Sequence, residues 1–266
     1  MKETTKTTSQ GFALDFAAGW YDLLTLVPGE RRLREVTIEL AGLKPGDRVL
    51  DVGCGTGRLA LLMKSVVGEK GHVAGIDLAP KMVARAQRQA EKRGLEMDFR
   101  VASIAGLPFP DNSFDVVTSS LMAHHLPRRI KQAGFAEVCR VLQPGGRFLL
   151  CDFGPPPERW MWVTRLLVRL VAWGGEPPED NLEWRIPALT EEAGFAPVET
   201  IAQESFLRLF RIYFVSAYVL ASALNATLKT HKWNSGPNRR AGCPRLCLRT
   251  WKRAAWDRHR MPSDQG

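Results

Sequence analysis

The stretch VLDVGCGTG, residues 49–57, decides how the first half of this chain folds. A short apolar run that contains Asp51 leads directly into a loop with glycine at every second position. Because glycine has no Cβ and tolerates positive φ, Gly53, Gly55 and Gly57 predict a tight turn whose backbone lies against a ligand. The following residues 58–64 predict a helix whose amino end points towards that ligand.

The glycine spacing separates two classes of ligand. A dinucleotide-binding loop has the pattern Gly-x-Gly-x-x-Gly, in which the third glycine lets the helix approach a pyrophosphate. Here the pattern is Gly-x-Gly-x-Gly, and Arg58 stands where that third glycine would be. The loop therefore favours a different cofactor, although a turn without any ligand needs similar glycines.

A second predicted strand, HVAGID at residues 72–77, ends in the carboxylate of Asp77. An acid at this position can accept hydrogen bonds from the two hydroxyls of a ribose, which many nucleotide cofactors share. The same acid could instead cap the helix that follows Pro80. Asp77 thus indicates a ribose without identifying the cofactor.

Further strands are predicted at 97–101, 114–120 and 147–152, with a helix over 128–141 and a turn at Pro144-Gly145-Gly146. After these, the pattern predicts a helix over 183–192, a sixth strand over 196–202 and a seventh over 206–215. Strands that alternate with helices in this way are typical of a doubly wound α/β sheet.

The motifs from residue 49 to residue 152, including LPFPDNSFDVV and VLQPGGRFLL, resemble the class I S-adenosylmethionine-dependent methyltransferases. The pattern is most similar to that of the ubiquinone/menaquinone biosynthesis and related small-molecule and lipid methyltransferases. The resemblance implies a Rossmann-like, seven-stranded sheet of order 3-2-1-4-5-7-6 with an antiparallel seventh strand. It also implies S-adenosylmethionine as the cofactor.

The same resemblance implies which residues contact the cofactor. In the family an acid often stands at the position of Ser103 and contacts the adenine amino group, so Ser103, with one hydroxyl acceptor, predicts weaker binding. The full set of expected cofactor contacts is Asp51, Gly53, Cys54, Gly55, Gly57, Asp77, Leu78, Ser103, Ile104, Ser119 and Tyr21.

His124 and His125 are the candidate catalytic residues, because they follow the fourth strand at the edge of the sheet where ligands bind. Either ring could take a proton from an acceptor hydroxyl, or one could pack while the other is solvated. No metal is expected: Cys243 and Cys247 with His231 and His259 have a poor spacing for zinc.

Three segments are predicted. Residues 1–44 form leading helices over the cofactor, and residues 45–228 form the methyltransferase domain with an insertion at about 155–180. The insertion contains an apolar helix, residues 161–173, which predicts a lid over a hydrophobic acceptor, an interfacial contact with a membrane, or ordinary core packing. Residues 229–266 form a basic tail that we expect to be disordered and dispensable.

Charge and cysteine content place the chain among cytoplasmic proteins. The net charge is +9, but the tail alone holds ten Lys/Arg and two Asp/Glu, so the rest is nearly neutral and nucleic acid is not an expected partner. The five cysteines form no disulfide framework, and the longest apolar stretch, residues 212–224, is too short to span a bilayer. We therefore expect a cytoplasmic protein that contacts membranes at most peripherally, while its oligomeric state cannot be predicted from sequence.

Two functions remain open at this point. The first is methyl transfer to a small, hydrophobic acceptor such as a quinone precursor, a phenol or a phospholipid amine. The second is a noncatalytic protein that binds S-adenosylmethionine and interacts with a partner; a nicotinamide-dependent reductase is a weaker third alternative. Acceptor-dependent formation of S-adenosylhomocysteine separates the first from the others.

Overall fold

A twisted sheet of seven strands organises the described part of the chain. The structure, a computed structural model, describes residues 30–158, 162–163, 179–206 and 210–220. All of them lie within one compact unit that ends at Asn225.

The elements alternate between strands and helices along the chain. The strands are β1 (Arg48–Val52), β2 (His72–Asp77), β3 (Asp98–Val101), β4 (Phe114–Ser120), β5 (Leu142–Phe153), β6 (Val198–Phe206) and β7 (Phe210–Tyr218). The helices are α1 (Glu30–Ala41), α2 (Arg58–Val67), α3 (Pro80–Glu91), α4 (Arg128–Val141), α5 (Glu179–Leu182) and α6 (Ile186–Glu192), with a 3-10 helix at Ala123–His125.

The strand order is β3-β2-β1-β4-β5-β7-β6, which confirms the predicted order. Strands β1 to β5 pair in parallel, whereas β7 runs antiparallel to both β5 and β6. The order reverses between β1 and β4, and at such a switch point the carboxyl ends of two neighbouring strands open a crevice for ligands. This architecture confirms the expected Rossmann-like methyltransferase fold.

The sheet is buried on both faces. Successive side chains of a strand point to opposite sides, so one strand contributes residues to the core on each face. Val49 packs with residues of α2 and α3, such as Leu59 and Ala86. Its neighbour Leu50 packs with Phe135 and Val138 of α4 on the other face. Each face thus has its own apolar core, and β1 lies between the two.

Two elements differ from the sequence-based expectation. The predicted turn at Pro144–Gly146 lies within the long strand β5, because Gly145 donates its N–H to the Val219 carbonyl and Val219 donates to that of Gly146. The helix predicted over 183–192 begins only at Ile186 (α6), since Trp184 has a positive φ of 53° that a right-handed helix does not contain; the short helix α5 precedes the predicted range. Strands β6 and β7 also lie two to four residues later than predicted.

Some predictions fall outside the described residues. They concern the first leading helix with Tyr21, most of the apolar helix 161–173, and the tail 229–266. Of the apolar helix, Trp162 and Val163 are described as helical, and Trp162 is 70% exposed. Among the described residues, no helix is long and apolar enough to cross a membrane.

We expect Gly57→Ala to destabilise the fold more than Gly94→Ala. Both glycines have a positive φ, 78° and 64°, which a residue with a Cβ rarely adopts, so both substitutions carry backbone strain. A Cβ on Gly57 would in addition lie 2.8 Å from the Ala86 Cβ, whereas one on Gly94 would meet no atom within 4 Å. Denaturant unfolding should show a loss of about 1–2 kcal/mol for Gly94→Ala and at least about 1 kcal/mol more for Gly57→Ala. Equal losses would contradict the packing role of Gly57.

Candidate cofactor cleft and catalytic pair

The glycine loop is held against β2 by hydrogen bonds from its backbone. The N–H groups of Gly53 and Cys54 both donate to the Ile76 carbonyl, at 2.8 and 2.9 Å. Gly53, Gly55 and Gly57 all have positive φ, between 53° and 78°. A residue with a Cβ is strained at positive φ, so the turn requires glycine at these three alternating positions.

The space around the glycines differs along the loop. A Cβ on Gly53 would lie 2.5 Å from the Met122 Cγ, so this glycine permits the loop and the end of β4 to approach each other. A Cβ on Gly55 would meet no atom within 4 Å. The loop backbone at Gly55 therefore borders open space that a ligand can fill.

Asp77 lies at the end of β2, as predicted, and fixes the loop from the side. Its Oδ2 accepts a hydrogen bond from the Gly55 N–H and its Oδ1 one from the Ala79 N–H, each at 2.9 Å. Each carboxylate oxygen has two lone pairs, so both oxygens retain acceptor capacity for a pair of vicinal hydroxyls. This half-buried acid fits the ribose of the expected cofactor.

A cleft that is open to solvent lies beside the loop. Helix α1 forms one wall with Leu33 and Arg34, and the end of β4 forms another with Ser120 and Leu121. The remaining lining residues belong to β1, the loop and the start of α2: Asp51, Gly53, Cys54, Gly55, Thr56, Arg58 and Leu59. Of the residues predicted to contact the methionine portion of S-adenosylmethionine, Gly53, Cys54 and Gly55 share this cleft with Asp51, whereas Gly57 does not line it.

Asp51 lines this cleft although only 2% of the residue is exposed. Its Oδ1 accepts a hydrogen bond from the Thr118 hydroxyl at 2.9 Å. Burial raises the pKa of Asp51 to about 7; the Thr118 hydrogen bond lowers the pKa and the charge of Asp77 raises it further. Asp51 thus titrates near neutral pH, and a cation in the cleft would favour its ionised form.

The residues predicted to contact the adenine end of the cofactor lie in different environments. The Ser103 hydroxyl accepts a hydrogen bond from the Ala105 N–H at 3.2 Å, and the Ile104 side chain is buried against Gly134. Leu78 is half-buried beside Asp77. Since both side chains have partners within the protein, we expect the edge of an adenine ring to contact the backbone of residues 103–104.

Ser119 differs from the expectation, because its neighbour Ser120 lines the cleft instead. Adjacent residues of a strand point to opposite sides of the sheet, so only one of the two serines can face the ligand. The Ser119 hydroxyl is buried and has no hydrogen-bond partner. Sequence spacing alone did not reveal which serine faces outwards.

His124 lies three residues after Leu121 and forms a pair with a buried acid. Its Nδ1 is 2.7 Å from Oδ1 of Asp152, and its backbone N–H donates to Oδ2 at 2.9 Å. Oδ1 also accepts the Phe153 N–H at 2.7 Å. An ionised carboxylate only accepts, so Nδ1 carries the proton and the neutral ring has its lone pair on Nε2.

His125 stacks obliquely on His124, with 3.9 Å between the ring centroids. The pKa of His125 is lowered to about 4, first by burial of the ring and then by His124, whereas Asp152 raises it. More than a third of His125 is nevertheless exposed, so water screens part of this effect. The direction of the shift leaves the His125 ring neutral at pH 7.

Several functional residues could not be found from the sequence. Asp152 ends the fifth predicted strand. The only sequence feature that indicated its role was this position, because the ends of parallel strands lie at the same edge of the sheet as the residues that follow β4. Thr118 faces Asp51 only through the β1–β4 register, and Leu33 and Arg34 reach the cleft from a helix that precedes the sheet. Among the described residues, no group of three or more His, Cys, Asp or Glu side chains is arranged to hold a metal ion.

Comparison with known proteins shows that the central part of the chain is similar to methyltransferases. A family model described as a methyltransferase domain matches residues 49–146. The chain is 42% identical over 141 residues to the demethylmenaquinone methyltransferase of Thermus thermophilus, a match that covers 52% of this chain and 63% of the relative. The chain therefore spans less than two thirds of that relative's length.

Solved structures agree with this assignment. A methyltransferase from Aquifex aeolicus, described as SAM-dependent, is 26% identical, with a TM-score of 0.53 over 71% of this chain and 93% of the other. A phosphoethanolamine N-methyltransferase from Haemonchus contortus, solved with S-adenosylhomocysteine, is 20% identical, with a TM-score of 0.62 over 77% of this chain and 57% of the other. The latter similarity concerns the fold alone.

We expect Asp77→Ala to weaken the binding of S-adenosylmethionine by about 1–3 kcal/mol, because it removes both oxygens that are predicted to accept the ribose hydroxyls. Calorimetric titration measures this change, with folding verified by circular dichroism. Asp98→Ala is a matched control, since this acid is the first residue of the neighbouring strand β3 and pairs with Arg100 outside the cleft. Unchanged affinity in the Asp77 variant would refute the ribose assignment.

A second prediction concerns the pH dependence of stability. The folded-state pKa of Asp51, about 7, is above its ordinary value of 3.8, so the folded chain holds this proton more tightly than the unfolded chain. The stabilisation is complete below about pH 4 and is lost as the pH rises through about 7. Asp51→Asn should remove this component, and the thermal midpoint between pH 5 and pH 8 should fall less in the variant than in the wild type. Parallel curves for the two proteins would contradict the assignment.

Proposed function

We propose that this chain, which carries a class I S-adenosylmethionine-dependent methyltransferase domain, transfers a methyl group to a small, hydrophobic acceptor. The acceptor classes that we consider are quinone precursors, phenols and phospholipid amines. The demethylmenaquinone methyltransferase of T. thermophilus, at 42% identity, supports the first class. The observation that carries the proposal is the His124–Asp152 pair, whose histidine follows the cleft-lining residue Leu121 by three positions along the chain.

The residues of the cleft fit the cofactor by their chemistry. Asp77 offers carboxylate oxygens at the position of a ribose, and the left-handed Gly55 leaves space above the loop. Asp51 offers a carboxylate to the positively charged methionine portion. When bound, S-adenosylmethionine supplies an electrophilic methyl carbon on sulfur, which is already activated for attack.

The protein then has two tasks, to align the acceptor and to manage its proton. Asp152 orients the His124 ring so that Nε2 can take the proton from an acceptor hydroxyl, and His124 would release that proton to solvent after the product leaves. The bound cofactor would supply the methyl group to the acceptor oxygen and leave as S-adenosylhomocysteine. This arrangement favours a quinol or a phenol, because an amine that is already neutral needs no base.

The hydrophobic character of the acceptor follows from the sequence of the insertion and from the aromatic groups at the end of β5. Phe153 packs edge-on against His124, with 5.1 Å between the ring centroids. Trp184 packs on Tyr213 at 4.3 Å, beside Gly154. An apolar ring would be stabilised by contacts of this kind, and we propose that the apolar residues 161–173 add to them.

The experiment that tests the function is a methyl-transfer screen over quinols, phenols, phospholipids and small amines with labelled cofactor. Product masses identify the acceptor, and formation of S-adenosylhomocysteine must depend on its presence. Binding of S-adenosylmethionine without turnover on any class would instead favour a noncatalytic binding protein, an alternative that Ser103 in place of the usual acid supports.

We expect His124→Ala to lower kcat by about 10²–10⁴-fold on a hydroxyl acceptor, the range of general-base catalysis. Asp152→Asn should produce a comparable loss because it no longer fixes Nδ1 as the donor. His125→Ala is the comparison, since Asp152 hydrogen-bonds to the ring of His124 and acts on the His125 ring only through its charge; we expect this variant to retain more activity than His124→Ala. Wild-type rates in the His124 variant would exclude this residue as the base.

A further inference from the structure

A lysine is buried on the apolar face of α4, close to the proposed catalytic pair. The buried residues of this helix are Lys131, Gly134, Phe135, Val138 and Val141, so Lys131 occupies a position that the helical periodicity assigns to the core. It is only 1% exposed. A buried ammonium group is costly unless it is paired and hydrogen-bonded, so its partners explain why it is tolerated there.

The partners of Lys131 lie on the short helix α5. Its Nζ donates to Oδ1 of Asn181 at 3.1 Å and is 3.4 Å from Oδ2 of Asp180. Arg128, one turn earlier on α4, also approaches Asp180, at 3.6 Å. Burial lowers the pKa of Lys131, whereas Asp180 and, to a smaller extent, Asp152 raise it.

A continuous series of hydrogen bonds leads from this lysine to the proposed base. Asn181 accepts from Lys131 and donates its own Nδ2–H to the Phe153 carbonyl at 2.8 Å. The Phe153 N–H donates to the Asp152 carboxylate at 2.7 Å, and the same oxygen faces Nδ1 of His124. The Phe153 carbonyl thus accepts a hydrogen bond from Asn181, and the Phe153 N–H donates one to Asp152.

We propose that Lys131 is a positioning residue, which orients Asn181 and thereby holds the backbone of Phe153 where Asp152 can fix the His124 ring. The inference rests on the proposed role of His124 as the base. It explains why a core position of α4 bears a charge, since an apolar side chain there could not orient the Asn181 amide. It also links α5, which directly follows the insertion, to the acid that orients the base.

Three variants separate positioning from stability. Lys131→Met removes the donor and leaves Asp180 buried, so a loss of stability is expected. Lys131→Met/Asp180→Leu replaces both charges by apolar groups and should regain stability without regaining the link to Asn181. Gln132→Ala is the matched control: it removes an exposed hydrogen bond from α4 to Glu192 on α6, away from the site.

The tautomer of His124 is measured by ¹⁵N NMR of the ring nitrogens, with His124→Gln used to assign the signals. We expect a protonated Nδ1 in the wild type and in the Gln132 variant, and a mixture of tautomers in both Lys131 variants. With an active acceptor, kcat should fall by at least about tenfold in both Lys131 variants, while KM for S-adenosylmethionine changes by less than about twofold.

Each result decides between the two roles. A double variant that regains stability but keeps a low kcat and a mixed tautomer supports positioning. A double variant with wild-type kcat and tautomer shows that Lys131 serves stability alone, which overturns the proposal. If the wild type has no acceptor-dependent turnover, the proposed function fails, yet the tautomer comparison still tests the effect of Lys131 on His124.

Discussion

The carbonyl of Ile76 at the end of β2 determines where the cofactor cleft forms. It accepts two N–H groups of the glycine loop, those of Gly53 and Cys54, while the adjacent Asp77 accepts that of Gly55. These bonds connect the loop after β1 to its neighbouring strand, with Gly53 and Gly55 at positive φ on either side of Cys54. The start of α2, the floor of the cleft and the Asp77 carboxylate therefore occupy fixed relative positions.

Two buried acids at the same edge of the sheet have different environments. Asp51 receives a hydrogen bond from the neutral hydroxyl of Thr118, and its burial raises its pKa to about 7. Asp152 instead accepts three N–H groups, from the backbone of His124, from the His124 ring and from Phe153. The first acid can respond to a cation in the cleft, whereas the second is suited to orient a base. The two environments correspond to the cofactor side and the acceptor side of the proposed reaction.

The acceptor side depends on contacts between distant parts of the chain. Lys131, Phe153 and Asn181 come from a helix, a strand end and a helix beyond the insertion, and their hydrogen bonds meet behind His124. Backbone strain is found in the same region, because Leu121 and Trp184 both have φ of 53°. Such strain persists only where surrounding contacts enforce it and is common near functional sites. The surroundings of the His124–Asp152 pair are therefore a property of the assembled fold rather than of one motif.

The sequence by itself determined the glycine loop, Asp77 and the position of the histidines, because each depends on a local pattern of apolar periodicity, glycine spacing or strand ends. The sheet order was implied by the resemblance to the methyltransferases, since a local pattern does not specify which strands are neighbours. The sequence failed where the answer depends on register or on long-range pairing. Ser120 rather than Ser119 lines the cleft, and Trp184 interrupts a helix that the periodicity favoured. Only the tertiary structure paired His124 with Asp152, since the register of β4 on β5 brings together residues 28 positions apart. The buried position of Lys131 was likewise decided by α5, because no local pattern indicates which distant acid will compensate a charge in an apolar face.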